Sequence, residues 1–287
     1  MTVRSYAKIN LGLRILGRRA DGFHDLSTLF HRVNLFDTLS FEITDGGISL
    51  ESNRDDIPTD DGNLCVRAAR LLLEQQRGMG VHIVLNKNIP AGAGLGGGSS
   101  NAATVLRFLP SLIGLKFPDE ELLEMAAMLG SDVPFFLQDG SALARGRGEI
   151  LEYFSWECPW WIVLVNPGIH VSTPWAYSNL RLSTNPPDPD LRAALQQAPG
   201  DAAALELLLH NDFEPPVMEA HPLIRETRQR MLDGGAAGAL MSGSGSSVFG
   251  LFSDEAAATT CAGSFSPGHL LSVTGPGFLP DYVVREL

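Results

Sequence analysis

The chain has 287 residues, 44% hydrophobic and 19% charged, with a formal net charge of −12. That is the composition of a folded protein with one large or two modest domains, and it excludes a disordered chain. With lysine only at positions 8, 87 and 116, it also excludes a broad basic surface for nucleic acid.

In chain order, residues 3–16 read as a first strand and 33–43 as a second, from their alternation. Asp60, Asp61, Gly62 and Asn63 read as a turn and helix cap. The run from Leu64 to Gln76 has helical spacing, with Val66, Ala69, Leu72 and Leu73 on related faces. Val81 to Leu85 is a strand, residues 90–98 are dense in glycine, and Ser99 to Leu109 form a helix. Another helix starts at Pro118 and Asp119 and ends near Gly130. Residues 150–160 carry no strong periodicity, and WWIVLVNPG after them is a buried strand. A domain boundary is placed near residue 157, giving 1–157 and 158–287. The second half has a Pro- and Asn-rich loop at 183–190 and helical segments at 190–209 and 215–233. A strand, turn and strand follow at 238–252, then a helix from Asp254 to Cys261 and a last strand from Leu270 to Thr274. Strands and helices mix in both halves, and no repeat is visible, so the fold class is α+β.

Cys65, Cys158 and Cys261 are far apart and form no CxxC pair. That argues against a disulfide framework or a zinc site and fits a reducing cytoplasm. No signal-peptide core is read at the N-terminus, and no apolar run approaches the ~20 residues of a membrane-spanning helix.

The segment Pro90-Ala91-Gly92-Ala93-Gly94-Leu95-Gly96-Gly97-Gly98-Ser99-Ser100 places five glycines in seven residues just before a helix. Glycine loses the most backbone freedom on folding. Such density is explained by close approach of backbone N–H groups to phosphate oxygens at a positively polarised helix N-terminus. Ser99 or Ser100 could add a hydroxyl to a phosphate or to a magnesium-bound water. The bland alternative is a tight turn with a serine cap. Gly92, Gly94 and Gly97 match GxGxxG, but the acid expected ~20 residues on falls in what reads as a helix start. No lysine follows the last glycine, so the Walker pattern fails, and Lys87 ahead of the loop is read as peripheral.

Phosphoryl transfer needs positioning, charge neutralisation and often a carboxylate to take a hydroxyl proton. Asp132, beside the apolar run Val133-Pro134-Phe135-Phe136, is a candidate base or equally a cap. Lys8 and Asn10, two apart on a strand, share a face, although a lone strand lysine is usually solvated. Phe23 could stack on a flat base and His24 could bond its edge, or Asp21-Gly22-Phe23-His24 is a plain turn. The loop Ser242-Gly243-Ser244-Gly245-Ser246-Ser247 could support the nucleotide loop or substrate phosphates, or be a hairpin turn.

Together and in this order, SYAKINL at 5–11, PAGAGLGGGSSNAA at 90–103 and MSGSGSSVF at 241–249 resemble the GHMP kinase superfamily over essentially the whole chain. RADGFHDLSTLF at 19–30, DGNLCVRAARLL at 61–72, LGSDVPFFL at 129–137 and GRGEIL at 146–151 resemble one branch of it. That branch phosphorylates a cytidine diphosphate-linked methylerythritol in the non-mevalonate isoprenoid pathway. The resemblance implies a two-domain fold: a half like domain 2 of ribosomal protein S5, then a ferredoxin-like half, with the site in the cleft between. It implies ATP with Mg2+, a small-molecule acceptor, and neither nucleic acid nor membrane as partner. Carried over by motif position, Asp132 would accept the proton of the C2 hydroxyl and Lys8 would polarise that hydroxyl. Asn10 would fix the substrate, residues 90–100 would hold the triphosphate, and Asn63 would meet the adenine. Phe23 and His24 match cytidine-binding positions, and Tyr177, four residues after Thr173, would sandwich the cytosine with Phe23. Two positions depart from many members: Tyr6 for Pro, expected to alter loop rigidity only, and Phe23 for Tyr, which loses a hydroxyl but keeps a stacking face. Metal ligands are not legible. Another GHMP-type kinase and a non-catalytic nucleotide-binding relative are the alternatives, the latter disfavoured because Lys8 and Asp132 are both present.

Overall fold

The computed structural model describes residues 1–74, 76, 78–182 and 186–284. Residue 75, at the end of the first expected helix, and 183–185 of the expected Pro- and Asn-rich loop lie outside the described residues.

The first sheet is built around one long strand. β1 (Thr2–Arg18) and β2 (His24–Thr44) pair antiparallel along nearly their whole length. The opposite edge of β2 is shared. Leu26–Phe30 pair with β5 (Ser141–Gly146), and Thr38–Thr44 pair with β4 (Gly80–Asn86). β3 (Gly47–Ser52) lies parallel to β4, and β6 (Ile150–Phe154) antiparallel to β5. Residues 5–15 of β1 are buried on both faces, so the sheet is covered on both sides. On one side lie α1 (Leu64–Leu73), α2 (Gly97–Leu112) and α3 (Asp119–Leu129), packing Val66, Leu72 and Leu106 on Leu39, Phe41 and Ile83.

The other face packs on a second sheet. That sheet comprises β7 (Trp161–Val165), β8 (Gly238–Met241), β9 (Val248–Phe252) and β10 (Leu270–Thr274), antiparallel in the order β10-β7-β9-β8. Helices α4 (Thr173–Ser178), α5 (Leu191–Gln197), α6 (Ala202–Leu208), α7 (Glu214–Ala220) and α8 (Pro222–Asp233) separate β7 from β8. Helix α9 (Glu255–Ser264) separates β9 from β10, which is the split βαβ plan of ferredoxin-like folds. Ala7, Ile9, Leu11 and Leu29 of the first sheet share one core with Ile162, Leu164, Leu240 and Phe249 of the second. β1 is thereby fixed against both halves.

Four local readings change. The second strand begins at His24, nine residues ahead of its expected start, because its polar residues are buried with partners. Arg32 donates to the carbonyls of Phe135, Gln138 and Gly140, and His31 Nδ1 bonds Ser141 Oγ. The β5–β6 hairpin occupies a stretch with no visible period. The single helix expected over 190–209 is two, broken at Pro199-Gly200-Asp201, where Asp201 caps α6. The helix expected over 215–233 is also two, broken ahead of Pro222.

Candidate active site

The glycine segment is held as an alternating track. Gly92, Gly94 and Gly96 have φ of 63°, 76° and 68°, values that side-chain-bearing residues rarely adopt. Between them Ala93 and Leu95 are buried in the core shared by the two sheets. Backbone groups fix the track on both flanks: Leu95 O accepts from Lys8 N (3.0 Å), Gly94 O from Ser242 Oγ (2.9 Å) and Ala93 O from Ser247 N (3.3 Å). The serine–glycine loop at 242–247 is therefore both the β8–β9 turn and the support of the glycine track. Gly96 is the left-handed N-cap of α2 and supplies no side-chain cap. The first N–H groups of α2 are thus left for an anion.

A Cβ at Gly94 would sit 2.0 Å from the carbonyl oxygen of Ser242. Gly94→Ala must move one loop or the other, besides forcing a left-handed alanine. ATP affinity is expected to fall at least ~10-fold, the equivalent of ~1.4 kcal/mol, with the far-UV circular dichroism retained. Unchanged nucleotide affinity by calorimetry would show that the track does not hold the triphosphate.

Lys8 lies directly below this helix start. A Cβ at Gly96 would come within 3.1 Å of Lys8 Cε. The lysine is 4% exposed, contrary to the solvated position usual for a strand lysine. Its ammonium donates to Asn10 Oδ1 (2.8 Å), stands 3.3 Å from Asp132 Oδ2 and lies over the Phe30 ring, 4.7 Å from its centroid. Asn10 Nδ2 donates to Thr28 Oγ1 (2.8 Å), whose hydroxyl donates to Gly12 O (2.5 Å). The shared strand face of Lys8 and Asn10 thus becomes an oriented chain that points one ammonium at one carboxylate. Asp132 sits in the turn between α3 and a 3-10 turn (Pro134–Leu137), one-third exposed toward the cleft.

Residues Pro90 to Ser99, Lys8, Asn10, Thr28, Asp132, Thr173 and Tyr177 line one cleft of about 320 Å³, together with Leu64, Arg147, Gly148, Gly243 and Ser244. Two of the expected nucleotide residues are not on its wall. Ser100 turns its hydroxyl inward, donating to Tyr6 O (2.7 Å) and bonded to Ser5 Oγ (2.7 Å). Asn63 spends its side chain on local structure: Oδ1 accepts from Cys65 N (2.9 Å) as the cap of α1, and Nδ2 donates to Pro58 O (2.7 Å). Leu64, next in sequence, reaches the cleft instead. Thr173 Oγ1 is 2.9 Å from Ser244 Oγ.

Tyr177, expected to sandwich the cytosine with Phe23, lines the cleft beside His24. Its ring stacks on His24, with centroids 4.8 Å apart and planes at 22°, and meets Phe213 edge-on. Burial, with the Asp132 carboxylate adding to it, pushes the Tyr177 phenol up to about 12. Burial and the Arg18 charge hold the His24 imidazole below its ordinary value. Phe23 is 53% exposed, and its ring is overlain by Arg147, whose guanidinium carbon lies 4.7 Å from the centroid. Arg147 and Gly148, within GRGEIL, carry no site signal in the sequence; only the hairpin brings them to the cleft.

Lys87 is not peripheral: it is 6% exposed and donates to Asp37 Oδ2 (2.5 Å) and Asn101 Oδ1 (3.2 Å) beneath the start of α2. Tyr6 is not a loop residue. It lies in β1, stacks edge-on against Phe36 and Tyr282, and donates to Asp281 O (2.9 Å), so it pins the C-terminal segment.

This arrangement, an uncapped glycine-lined helix start above a lysine–aspartate couple in a two-sheet fold, defines a kinase of the GHMP type. The family model described as GHMP kinases N terminal domain matches residues 63–140, and GHMP kinases C terminal matches residues 191–265. A protein of Chlorobium phaeobacteroides named 4-diphosphocytidyl-2-C-methyl-D-erythritol kinase is 45% identical over 284 residues, covering 97% of this chain and 96% of its own. A crystal structure of 4-(cytidine 5'-diphospho)-2C-methyl-D-erythritol kinase superposes with a TM-score of 0.79 at 40% identity, covering 92% of this chain and 94% of that one. The homoserine kinase of Cytophaga hutchinsonii shares the fold, with a TM-score of 0.71 at 20% identity over 98% of this chain and 97% of its own. The chain belongs to the 4-diphosphocytidyl-2-C-methyl-D-erythritol kinase family.

Proposed function

We propose that the protein transfers the γ-phosphoryl group of ATP to the C2 hydroxyl of 4-diphosphocytidyl-2-C-methyl-D-erythritol, giving the 2-phosphate and ADP for isoprenoid precursor synthesis. The observation that carries this reading is the Lys8–Asp132 couple, 3.3 Å apart, at the foot of the glycine track. The acceptor hydroxyl bonds Asp132 and is polarised by Lys8. Its proton passes to the carboxylate as its oxygen closes on the γ-phosphorus and the bond to ADP breaks. Lys8, held by Asn10 and Phe30, carries a fixed positive charge between the phosphoryl group and the acceptor. The first N–H groups of α2 and the track take the remaining phosphate oxygens without reorganising, which is how preorganised dipoles lower such barriers.

Among the described residues no group of three His, Cys, Asp or Glu side chains could hold a metal. That is compatible with magnesium carried by the triphosphate, which needs only one or two protein carboxylates. Asp132 is the carboxylate of the cleft wall, and Ser99 the hydroxyl beside the track; these two would meet the ion. When bound, it neutralises the β- and γ-phosphates.

No helix among the described residues is long and apolar enough to cross a membrane. The three cysteines are buried free thiols, which supports a reducing, cytoplasmic setting.

The test is ADP release with a panel of alcohols. The cytidine-linked alcohol should be turned over in strong preference to mevalonate, homoserine and galactose. Efficient use of one of those three without the first would place the chain in another branch. Within the reading, Phe23→Ala should raise the KM for the acceptor ~2- to 10-fold, the size of one lost aromatic stack, with the KM for ATP unmoved. An unchanged acceptor KM would remove Phe23 from the cytidine site.

A further inference from the structure

Two hairpin tips meet at the mouth of the cleft. The β1–β2 turn presents Phe23, and the β5–β6 turn presents Arg147 between two left-handed glycines, Gly146 (φ 68°) and Gly148 (φ 108°). The glycines fold the chain back tightly, so the side chain between them projects from the tip. Its guanidinium lies on the Phe23 ring, and its charge is among the influences that lower the neighbouring Asp21 carboxyl. Behind it, Glu149 Oε1 stands 3.6 Å from Nε, while Glu149 Oε2 accepts from the Arg147 N–H at 2.5 Å. Among the described residues the two Nη groups have no hydrogen-bond partner. On the other side of the tip, a Cβ at Gly148 would lie 3.8 Å from Asp132 Oδ1. One turn thus reaches from the acid that takes the hydroxyl proton to the ring at the cytidine end.

This inference rests on the acceptor proposed above. Its alcohol is placed at Asp132 and its base at Phe23 and His24, so the diphosphate joining them must cross the span that the Arg147 turn covers. Lys8 and Arg147 are the cations among the described residues lining the cleft. Lys8 is already committed to Asp132 and Asn10. A second dianion entering beside a triphosphate, in a chain of net charge −12, needs a cation of its own. We propose that Arg147 binds the diphosphate of the acceptor, with the Phe23 ring as its platform and the Glu149 carboxylate near its Nε edge. The planar guanidinium fork matches phosphate oxygens two at a time and stacks on aromatic faces, which an ammonium cannot do equally well.

The experiment compares cytidine and cytidine 5′-diphosphate binding by calorimetry in the wild type, Arg147→Ala and Arg147→Lys, alongside acceptor kinetics. The wild type should prefer the diphosphate. In Arg147→Ala that preference should shrink ~10- to 100-fold, the loss of one charge-assisted contact. Cytidine affinity and the KM for ATP should stay within about twofold, and Arg147→Lys should recover part of the preference as a point charge. A merely structural arginine would weaken both ligands alike, and that result overturns the proposal. A retained diphosphate preference in Arg147→Ala overturns it too, while leaving the assigned reaction standing. If the wild type neither prefers the diphosphate nor turns over the cytidine-linked alcohol, the assigned reaction falls and this inference with it.

Discussion

Asp132→Asn is expected to lower kcat by ~10²- to 10⁴-fold, the range that a positioned general base contributes, with the affinity for ATP measured without magnesium changed by less than about threefold. The substitution keeps the size of the side chain and removes its charge and basicity. Lys8 does not collapse with it, because the ammonium keeps Asn10 Oδ1 at 2.8 Å and the Phe30 ring at 4.7 Å. The glycine track is fixed by Lys8 N, Ser242 and Ser247 and makes no contact that depends on the carboxylate. Loss should therefore appear in the chemical step and not in the binding of metal-free nucleotide. Loose phosphoryl-transfer transition states need little base help, so an effect near the lower end would mark Asp132 as chiefly an orienting group. A drop below ~10-fold in single-turnover rate, with ATP bound normally, would remove it from the mechanism.

The pieces of the candidate site were each faint in the sequence, and it was their order along the chain, as a resemblance to a known family, that joined them. Lys8 and Asn10 share a strand face by the two-residue repeat, and the glycine track announces its own backbone cost. What the sequence hid is what only tertiary packing creates. Arg147 stands in a short turn whose flanking strand, β6, alternates between exposed and half-buried positions and so lacks a hydrophobic signature. Its meaning depends on a second hairpin more than a hundred residues away. Asn63 fits the sequence pattern of a helix cap, and the resemblance makes it an adenine contact as well. Both ends of its side chain bond the local backbone, and the cleft wall begins one residue later. Ser99 and Ser100 are equivalent in composition, yet the helical turn sends one to the cleft and the other under β1. The extent of β2 was masked because Arg32 and His31, polar by type, are buried in the sheet as hydrogen-bond partners of the 134–141 segment.

Lys87 is hidden in the sequence for a related reason, and its partner carries the largest expected effect on stability. Asp37 is wholly buried, and four donors meet its carboxylate: Lys87 Nζ at 2.5 Å, Asn101 Nδ2 at 2.8 Å, Asn88 N at 2.7 Å and Ile89 N at 2.8 Å. The residues that donate are those entering the glycine track, 87–89, and one in the second turn of the helix that leaves it, Asn101. One carboxylate on β2 therefore ties together both ends of the track. Asp37→Ala leaves a buried ammonium with only Asn101 Oδ1, at 3.2 Å, and two backbone donors without an acceptor. Removing one member of a buried pair typically costs ~3–5 kcal/mol. At ~2–4 °C per kcal/mol for chains of this order, Tm should fall by at least ~6 °C, and the affinity for ATP should fall as well because the track loses its footing. The double variant Asp37→Leu/Lys87→Met separates the two effects. Apolar replacement of both charges should restore much of the stability. It cannot restore the bonds to Asn88 and Ile89, so nucleotide binding should remain weak. Full recovery of ATP affinity along with Tm would mean that the charge pair only stabilises the fold and has no part in shaping the track.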